Sequence, residues 1–231
     1  MGGTLKAVAF DMDGTLYPNY RLYLRLLPRF FLHPAFYNAF IKVRRELHSA
    51  DNGNFSQAGS FYDRQISLMA KLLRENNEKI GEKLERLVYS DMEKLFSGME
   101  LFPHVKETLV TFRKAGLKLG LLSDFPPEEK VSLLGLDGYF DAIVSSEETG
   151  ALKPSGIPFA ALAGSLALSP KEILYVGNHI HFDAEGSKSA GFNSALIKRS
   201  MLSTGRVPKN SASKADFVFR DYRQLQKYVL G

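Results

Sequence analysis

Two aspartates one residue apart, Asp11 and Asp13, follow directly on an apolar run over residues 7–10, and Gly14, Thr15 and Leu16 close the segment AVAFDMDGTL. Side chains at i and i+2 of an extended chain point the same way. A turn at Gly14 lets one side chain and one backbone carbonyl converge with the other carboxylate. Such an oxygen-rich site suits a hard divalent cation. A calcium loop of the D-x-D-x-D-G type does not fit, because Thr15 and Leu16 stand where its third oxygen and its glycine belong.

The run before Asp11 is apolar on both faces, as in a strand buried in a parallel sheet. The acids therefore stand at the carboxyl edge of a sheet, where open α/β folds keep their ligand crevice. Further apolar runs, each expected to be a strand, lie at 117–122, 140–144, 173–176, 195–197 and 217–219. Between them the spacing predicts helices from Pro103 to Gly116 and over 126–134, 158–167, 183–190 and 222–230. Strands alternating with helices imply right-handed crossovers and a parallel sheet. Two of these strands run into polar residues, Ser123-Asp124 and Gly177-Asn178, and Lys153-Pro154 precedes a helix.

Residues 19–96 read differently. Phe36, Phe40, Val43 and Leu47 fall at helical spacing, as do Tyr62, Ile66, Met69 and Leu73, then Ile80, Leu84, Leu87 and Leu95. Loops are expected at 51–54 and 75–77, and a hinge at Tyr17-Pro18-Asn19. The division implied is a core of 1–17 and 98–231 with a helical domain over 18–97.

The segment DMDGTL resembles the first motif of the haloacid dehalogenase superfamily, mostly phosphatases and phosphotransferases. Ser123 after an apolar strand resembles its second motif, and Lys153 in ALKP its third. The run 175–183, YVGNHIHFD, resembles its fourth. The resemblance covers roughly 5–17 and 98–230. It implies a three-layer Rossmann-like α/β core with a parallel sheet, and an inserted all-helical cap that moves over the active-site mouth. It further implies roles. Asp11 would attack phosphorus and form an acyl phosphate. Asp13 would protonate the leaving alcohol and later activate water. Ser123 would hold phosphoryl oxygens. Lys153 would let two anions approach, one pairing at about 4 Å and an effective dielectric near 20 being of order 4 kcal/mol before desolvation. Asp11, Asp13, Asn178 and Asp183 would hold Mg²⁺.

The fourth motif departs from the family, which has Asp where Asn178 stands. An amide oxygen still ligates Mg²⁺, with one formal charge fewer. Metal-independent dehalogenases of the superfamily carry Asn in this loop but lack the second aspartate of the first motif, and Asp13 is intact. The expected function is Mg²⁺-dependent hydrolysis of a small phosphomonoester. The alternatives are a metal-independent dehalogenase and an impaired member that binds a phospho-ligand or a protein partner. Asp124 is expected to be a helix cap or loop acid, and His179 and His181 rim residues.

In the cap, Arg21, Arg25 and Arg29 lie four apart, followed by Lys42, Arg44 and Arg45. A solvated face, a phosphate-binding stripe and an arginine reaching into the cleft share that pattern. Residues 24–41 are rich in Leu and Phe, but Arg25, Pro28, Arg29 and Pro34 break them up. A packed cap helix is expected there, not a membrane span. The net charge of +5 favours anionic partners in general. The expected partner is a small phosphorylated metabolite, with neither nucleic acid nor membrane. The chain has no cysteine, which excludes disulfides and thiolate chemistry. Neither a signal-peptide pattern nor, with Lys6 in place of Ser or Thr, a myristoylation motif is present. Cytoplasmic localisation is the expectation.

Overall fold

The computed structural model describes residues 5–49, 59–198 and 214–231. The loop expected at 51–54 lies outside them, as does most of the stretch 204–214, whose polar composition reads as a loop. The described residues build a six-stranded, wholly parallel sheet from β1 (Ala7–Phe10), β2 (Lys118–Ser123), β3 (Ala142–Ser145), β4 (Ile173–Gly177), β5 (Asn193–Ile197) and β6 (Phe217–Phe219), in the order β3-β2-β1-β4-β5-β6.

The helices are α1 (Tyr20–Leu32), α2 (Pro34–Ser49), α3 (Phe61–Leu73), α4 (Asn77–Leu84), α5 (Met92–Phe96), α6 (Val105–Lys114), α7 (Glu128–Leu133), α8 (Gly156–Leu166), α9 (Gly186–Ser189) and α10 (Tyr222–Leu230). π-Helical turns extend α4 over Glu85–Tyr89 and precede α9 over Ile180–Glu185. No described helix is long and apolar enough to cross a membrane.

Central β1 is completely buried, and its side chains alternate between two cores. Val8 and Phe10 face Leu109 and Phe112 of α6 and Tyr222 and Leu225 of α10. Ala7 and Ala9 face Phe159, Leu162 and Leu166 of α8. The second face is built for close approach. A Cβ on Gly120 of β2 would stand 3.0 Å from the Leu162 Cδ1 and 3.1 Å from the Ala9 Cβ, so α8 lies almost on the backbone. Ala7, Ala9 and Gly120 are small where α8 crosses them, while Leu122, Ile173 and Tyr175 fill the rest of this face.

Helices α2, α3 and α4 close around a cluster of their own, with Phe36, Val43, Ile66, Met69, Ile80 and Leu84 at its centre; Leu152 is the contribution of the sheet domain. These are the helical-period residues of the sequence. By contrast, Leu95 and Phe96 of α5 join the sheet-domain core, where Phe96 packs edge-on to Tyr17.

Register places the polar strand ends together. Phe10 pairs with Leu121 and Val176, so Asp11, Ser123 and Asn178 emerge at one edge. The Asp11 amide extends the ladder by donating to the Val176 carbonyl at 2.8 Å.

Candidate active site

Lys153 stands at the bottom of the crevice. Its ammonium group donates to Asp11 Oδ1 at 2.7 Å, to Asp183 Oδ1 at 2.8 Å and to the Tyr175 hydroxyl at 3.2 Å. All four side chains are buried. Thr15 Oγ1 donates to the other Asp11 oxygen at 2.7 Å. The second Asp183 oxygen accepts the backbone amides of Asn178 at 3.0 Å and His179 at 2.9 Å. Gly177 makes this fold-back feasible, since a Cβ there would collide with the Asp183 side chain.

One lysine thus serves two carboxylates. Burial pushes the Asp11 carboxyl up to about 7, with the Asp183 charge adding to it and Lys153 pulling the other way. Burial also works against the Lys153 ammonium, but Asp11 and Asp183 outweigh it and hold its pKa well above the usual lysine value. With Asp11 ionised the triad sets two negative charges against one positive, which is why its carboxyl holds a proton so tightly.

Asp13 has a different environment. Lys130 of α7 donates to both its carboxylate oxygens, at 2.8 and 3.1 Å. The Tyr17 hydroxyl donates to one oxygen, and Ser123 Oγ lies 3.5 Å from the other. Burial alone would raise the Asp13 pKa. Lys130 and Tyr17 reverse that, and the group sits below the ordinary aspartate value. The sequence does not disclose Lys130 or Tyr17. Lys130 is one charged residue of a short helix, yet 3% exposed. Tyr17 falls in a stretch expected only to be a hinge, yet its ring is fully buried. Its spacing of four from Asp13 across a glycine turn is the one available signal.

The fourth-motif loop meets the first at Gly14. Asn178 Nδ2 donates to the Asp13 carbonyl at 3.2 Å. Gly14 has φ +88°, and a Cβ there would collide with the amides of Asn178 and Asn19. A glycine is therefore required both for the left-handed turn and for the space. Among the described residues no cluster of three or more His, Asp or Glu side chains could hold a metal on its own. An ion here would rely on the Asp11 carboxylate, the Asp13 carbonyl and the Asn178 amide oxygen. That donor set fits a hard divalent cation, and the surplus negative charge at Asp11 favours one. Asp183 accepts from Lys153 through one oxygen and from the Asn178 and His179 amides through the other, much as Asp11 accepts from Lys153 and Thr15.

The remaining expectations resolve simply. Asp124 is a loop acid whose Oδ1 accepts the Lys153 amide at 3.2 Å. His179 and His181 are exposed; the first accepts the Phe182 amide, and the second pairs with Glu185 at 2.9 Å. Arg44 is no part of a solvated stripe. It is buried where α2 meets the sheet domain, paired with Glu147, bonded to the Asp124 carbonyl at 3.0 Å and stacked over Phe125 at 4.1 Å. Tyr89 donates to the same Glu147 at 3.1 Å. His48 of α2 donates from Nδ1 to the Lys153 carbonyl at 2.6 Å and stacks on Phe182 at 4.3 Å. A cleft of about 340 Å³ lies between the two units, walled in part by Tyr62, Tyr89, Phe125, Lys130 and Glu147. Asp11 and Lys153 do not line it; Lys130 alone belongs both to its wall and to the Asp13 contact.

The family model described as haloacid dehalogenase-like hydrolase matches residues 5–191. The chain belongs to the haloacid dehalogenase-like hydrolases. It is 27% identical over 230 residues to a glyceraldehyde 3-phosphate phosphatase of Methanothermobacter thermautotrophicus, covering 97% of this chain and 100% of the relative. A phosphoglycolate phosphatase of Haemophilus influenzae is 27% identical over 236 residues, covering 97% and 98%. Among solved structures, the L-2-haloacid dehalogenase of Xanthobacter autotrophicus superposes with a TM-score of 0.66 at 22% identity, covering 99% of each chain, and shares the fold. The α/β core with a parallel sheet and the hydrolase assignment thus agree with the motifs.

Proposed function

We propose that this hydrolase is a Mg²⁺-dependent phosphatase of small phosphomonoesters, with Asp11 as nucleophile and Asp13 as proton-transfer group. The observation that carries the proposal is Asp13 itself. Halide departure needs no proton, whereas an alkoxide does, and this chain keeps a carboxylate at that position inside a dedicated set of partners. Relatives named for phosphatase activity over nearly the full length support the same choice.

In the first step an Asp11 oxygen forms a bond to phosphorus as the ester P–O bond breaks, and the leaving oxygen takes a proton from Asp13. Asp13 rests as a carboxylate, so it takes up that proton with the substrate, whose monoester group titrates near pH 6. In the second step Asp13 accepts a proton from water, the water oxygen bonds to phosphorus, and Asp11 is released. Lys153 neutralises the approach of two anions, and Ser123 holds a phosphoryl oxygen. The Asp11 carboxylate, the Asp13 carbonyl and the Asn178 amide would hold Mg²⁺, which supplies positive charge to the phosphoryl oxygens when bound. The helical unit over 18–97 acts as the cap over a core of 1–17 and 98–231, and Arg44 and His48 are its attachment points. The substrate class is a small phosphorylated metabolite, and the cytoplasm is the proposed compartment.

The test is phosphate release from a panel of phosphomonoesters, including glyceraldehyde 3-phosphate and phosphoglycolate, with Mg²⁺ and with EDTA. Chloride release from 2-chloropropionate is measured in parallel. Phosphate release abolished by EDTA and by Asp11→Asn is expected. Metal-independent chloride release without phosphate release would replace the phosphatase with the dehalogenase.

A further inference from the structure

The cleft between the helical unit and the sheet domain lies on the Asp13 side of the crevice. Its wall includes Lys130, whose ammonium group holds Asp13, and Phe125, two residues beyond Ser123. Glu147 joins them from just past β3, the strand that pairs with β2. In the chemistry proposed above Asp13 serves the leaving oxygen, so the alcohol part of the ester falls on this side. A volume of about 340 Å³ lies at the lower end of the range for small-molecule sites. Tyr62, Tyr89 and Phe125 form one aromatic surface along it. The ring centroids are 5.8 Å apart for the two tyrosines and 6.5 Å apart for Tyr89 and Phe125.

The cations at this wall are already matched. Lys130 is the one cation among the described lining residues, and both Asp13 oxygens accept from it. Arg44 reaches the edge of the cleft from α2, over the Phe125 ring, but it is paired with Glu147. The Asp124 carbonyl and the Gln65 amide oxygen also accept from it, at 3.0 and 3.3 Å. Three further lining carboxylates have no cationic partner among the described residues. Glu85 accepts only from the Tyr62 hydroxyl, at 3.0 Å, and Glu128 and Glu129 are exposed in the first turn of α7. A carboxylate accepts hydrogen bonds and donates none. The wall therefore offers acceptors and ring faces to a hydroxylated group, and repulsion to a carboxylate or a second phosphate. This opposes the net charge of +5, which taken alone would favour the more anionic of two esters.

We propose that this cleft selects the alcohol part of the substrate by charge. The ester hydrolysed is a phosphomonoester of a hydroxylated alcohol with no anion of its own, and esters that carry a carboxylate or a second phosphate are rejected. The proposal rests on the phosphatase reading and narrows it.

Glycerol 3-phosphate and 3-phosphoglycerate test it, because they share a carbon frame and differ by a carboxylate in place of a hydroxymethyl group. Each is assayed with Mg²⁺ as a substrate and as a competitor of 4-nitrophenyl phosphate. The glycerol ester is expected to be favoured at least about tenfold, in kcat/KM and in inhibition constant. The preference should shrink as salt is raised from about 0.02 to about 0.5 M, since the carboxylates responsible are open to solvent. Glu128→Gln, Glu129→Gln should narrow it by improving 3-phosphoglycerate, with the circular dichroism spectrum unchanged. Glu147→Gln, which frees the Arg44 guanidinium, should improve the same ester further. Equal handling of the two esters, a preference for 3-phosphoglycerate, competition by neither, or a preference indifferent to salt and to the glutamine pair overturns the proposal and leaves the phosphatase reading standing. Absence of phosphate release from all three esters overturns that reading, and this inference with it.

Discussion

Asp11 and Asp13 leave the same strand two residues apart, yet their surroundings treat them oppositely. Asp11 shares one lysine with Asp183, and burial raises its pKa to about 7. Asp13 has Lys130 and Tyr17 to itself, and its pKa falls. The difference is one of charge per cation. One site is short of positive charge and invites more, from an ion or from an incoming proton. The other is balanced before anything binds. Two like side chains thereby receive different electrostatic settings, which suits the different tasks proposed for them, nucleophile and proton-transfer group.

The strongest way to break the contrast is to neutralise Asp11. Asp11→Asn should leave no measurable turnover in a phosphate-release assay. It also tests the electrostatics. The folded-state pKa of Asp11 lies above its unfolded value of 3.8, so the stability it contributes is full below pH 3.8 and is lost as pH rises through about 7. In EDTA, the melting temperature of Asp11→Asn relative to the native chain should therefore improve from pH 5 to pH 8. A constant difference would mean that Asp11 is ionised throughout.

Removing the shared cation comes next. Lys153→Met leaves two buried carboxylates unpaired and should cost about 3–5 kcal/mol in denaturant unfolding, besides turnover. On the other side, Asp13→Asn should lower kcat about 10²- to 10⁴-fold for alkyl phosphates. The loss should be smaller for 4-nitrophenyl phosphate, whose leaving group departs without a proton. Equal losses for both esters would deny Asp13 its proton-transfer role. The smallest change is Asn178→Asp, which restores a formal charge next to the Asp13 carbonyl. It should lower the Mg²⁺ concentration for half-maximal activity, read from a metal titration.

The sequence alone conveyed the sheet well. All six strands lie within a few residues of where the apolar runs place them, because a strand buried on both faces leaves a contiguous mark such as AVAF or ILYVG. Asp11 was legible because it ends such a run, whereas Lys153 and Asp183 were legible only through the motifs they resemble, and Tyr175, inside β4, was not marked at all. Lys130 and Arg44 were not legible either. Each is a cation buried at a joint between elements remote in sequence, 117 residues separating Lys130 from Asp13 and 103 separating Arg44 from Glu147. Periodicity within one helix carries no record of a partner so distant.

The hydrogen bond from His48 to the carbonyl of Lys153 joins α2 to the peptide of the very lysine that holds Asp11 and Asp183 together. Withdrawing α2 breaks that bond and unstacks the His48 ring from Phe182 in one movement. On the proposed reading of the helical unit as a cap, its opening would therefore free the peptide that carries Lys153. Under the proposed mechanism the site would be assembled for reaction only while the helical unit is seated, and the proposed phosphoaspartate would be kept from bulk water.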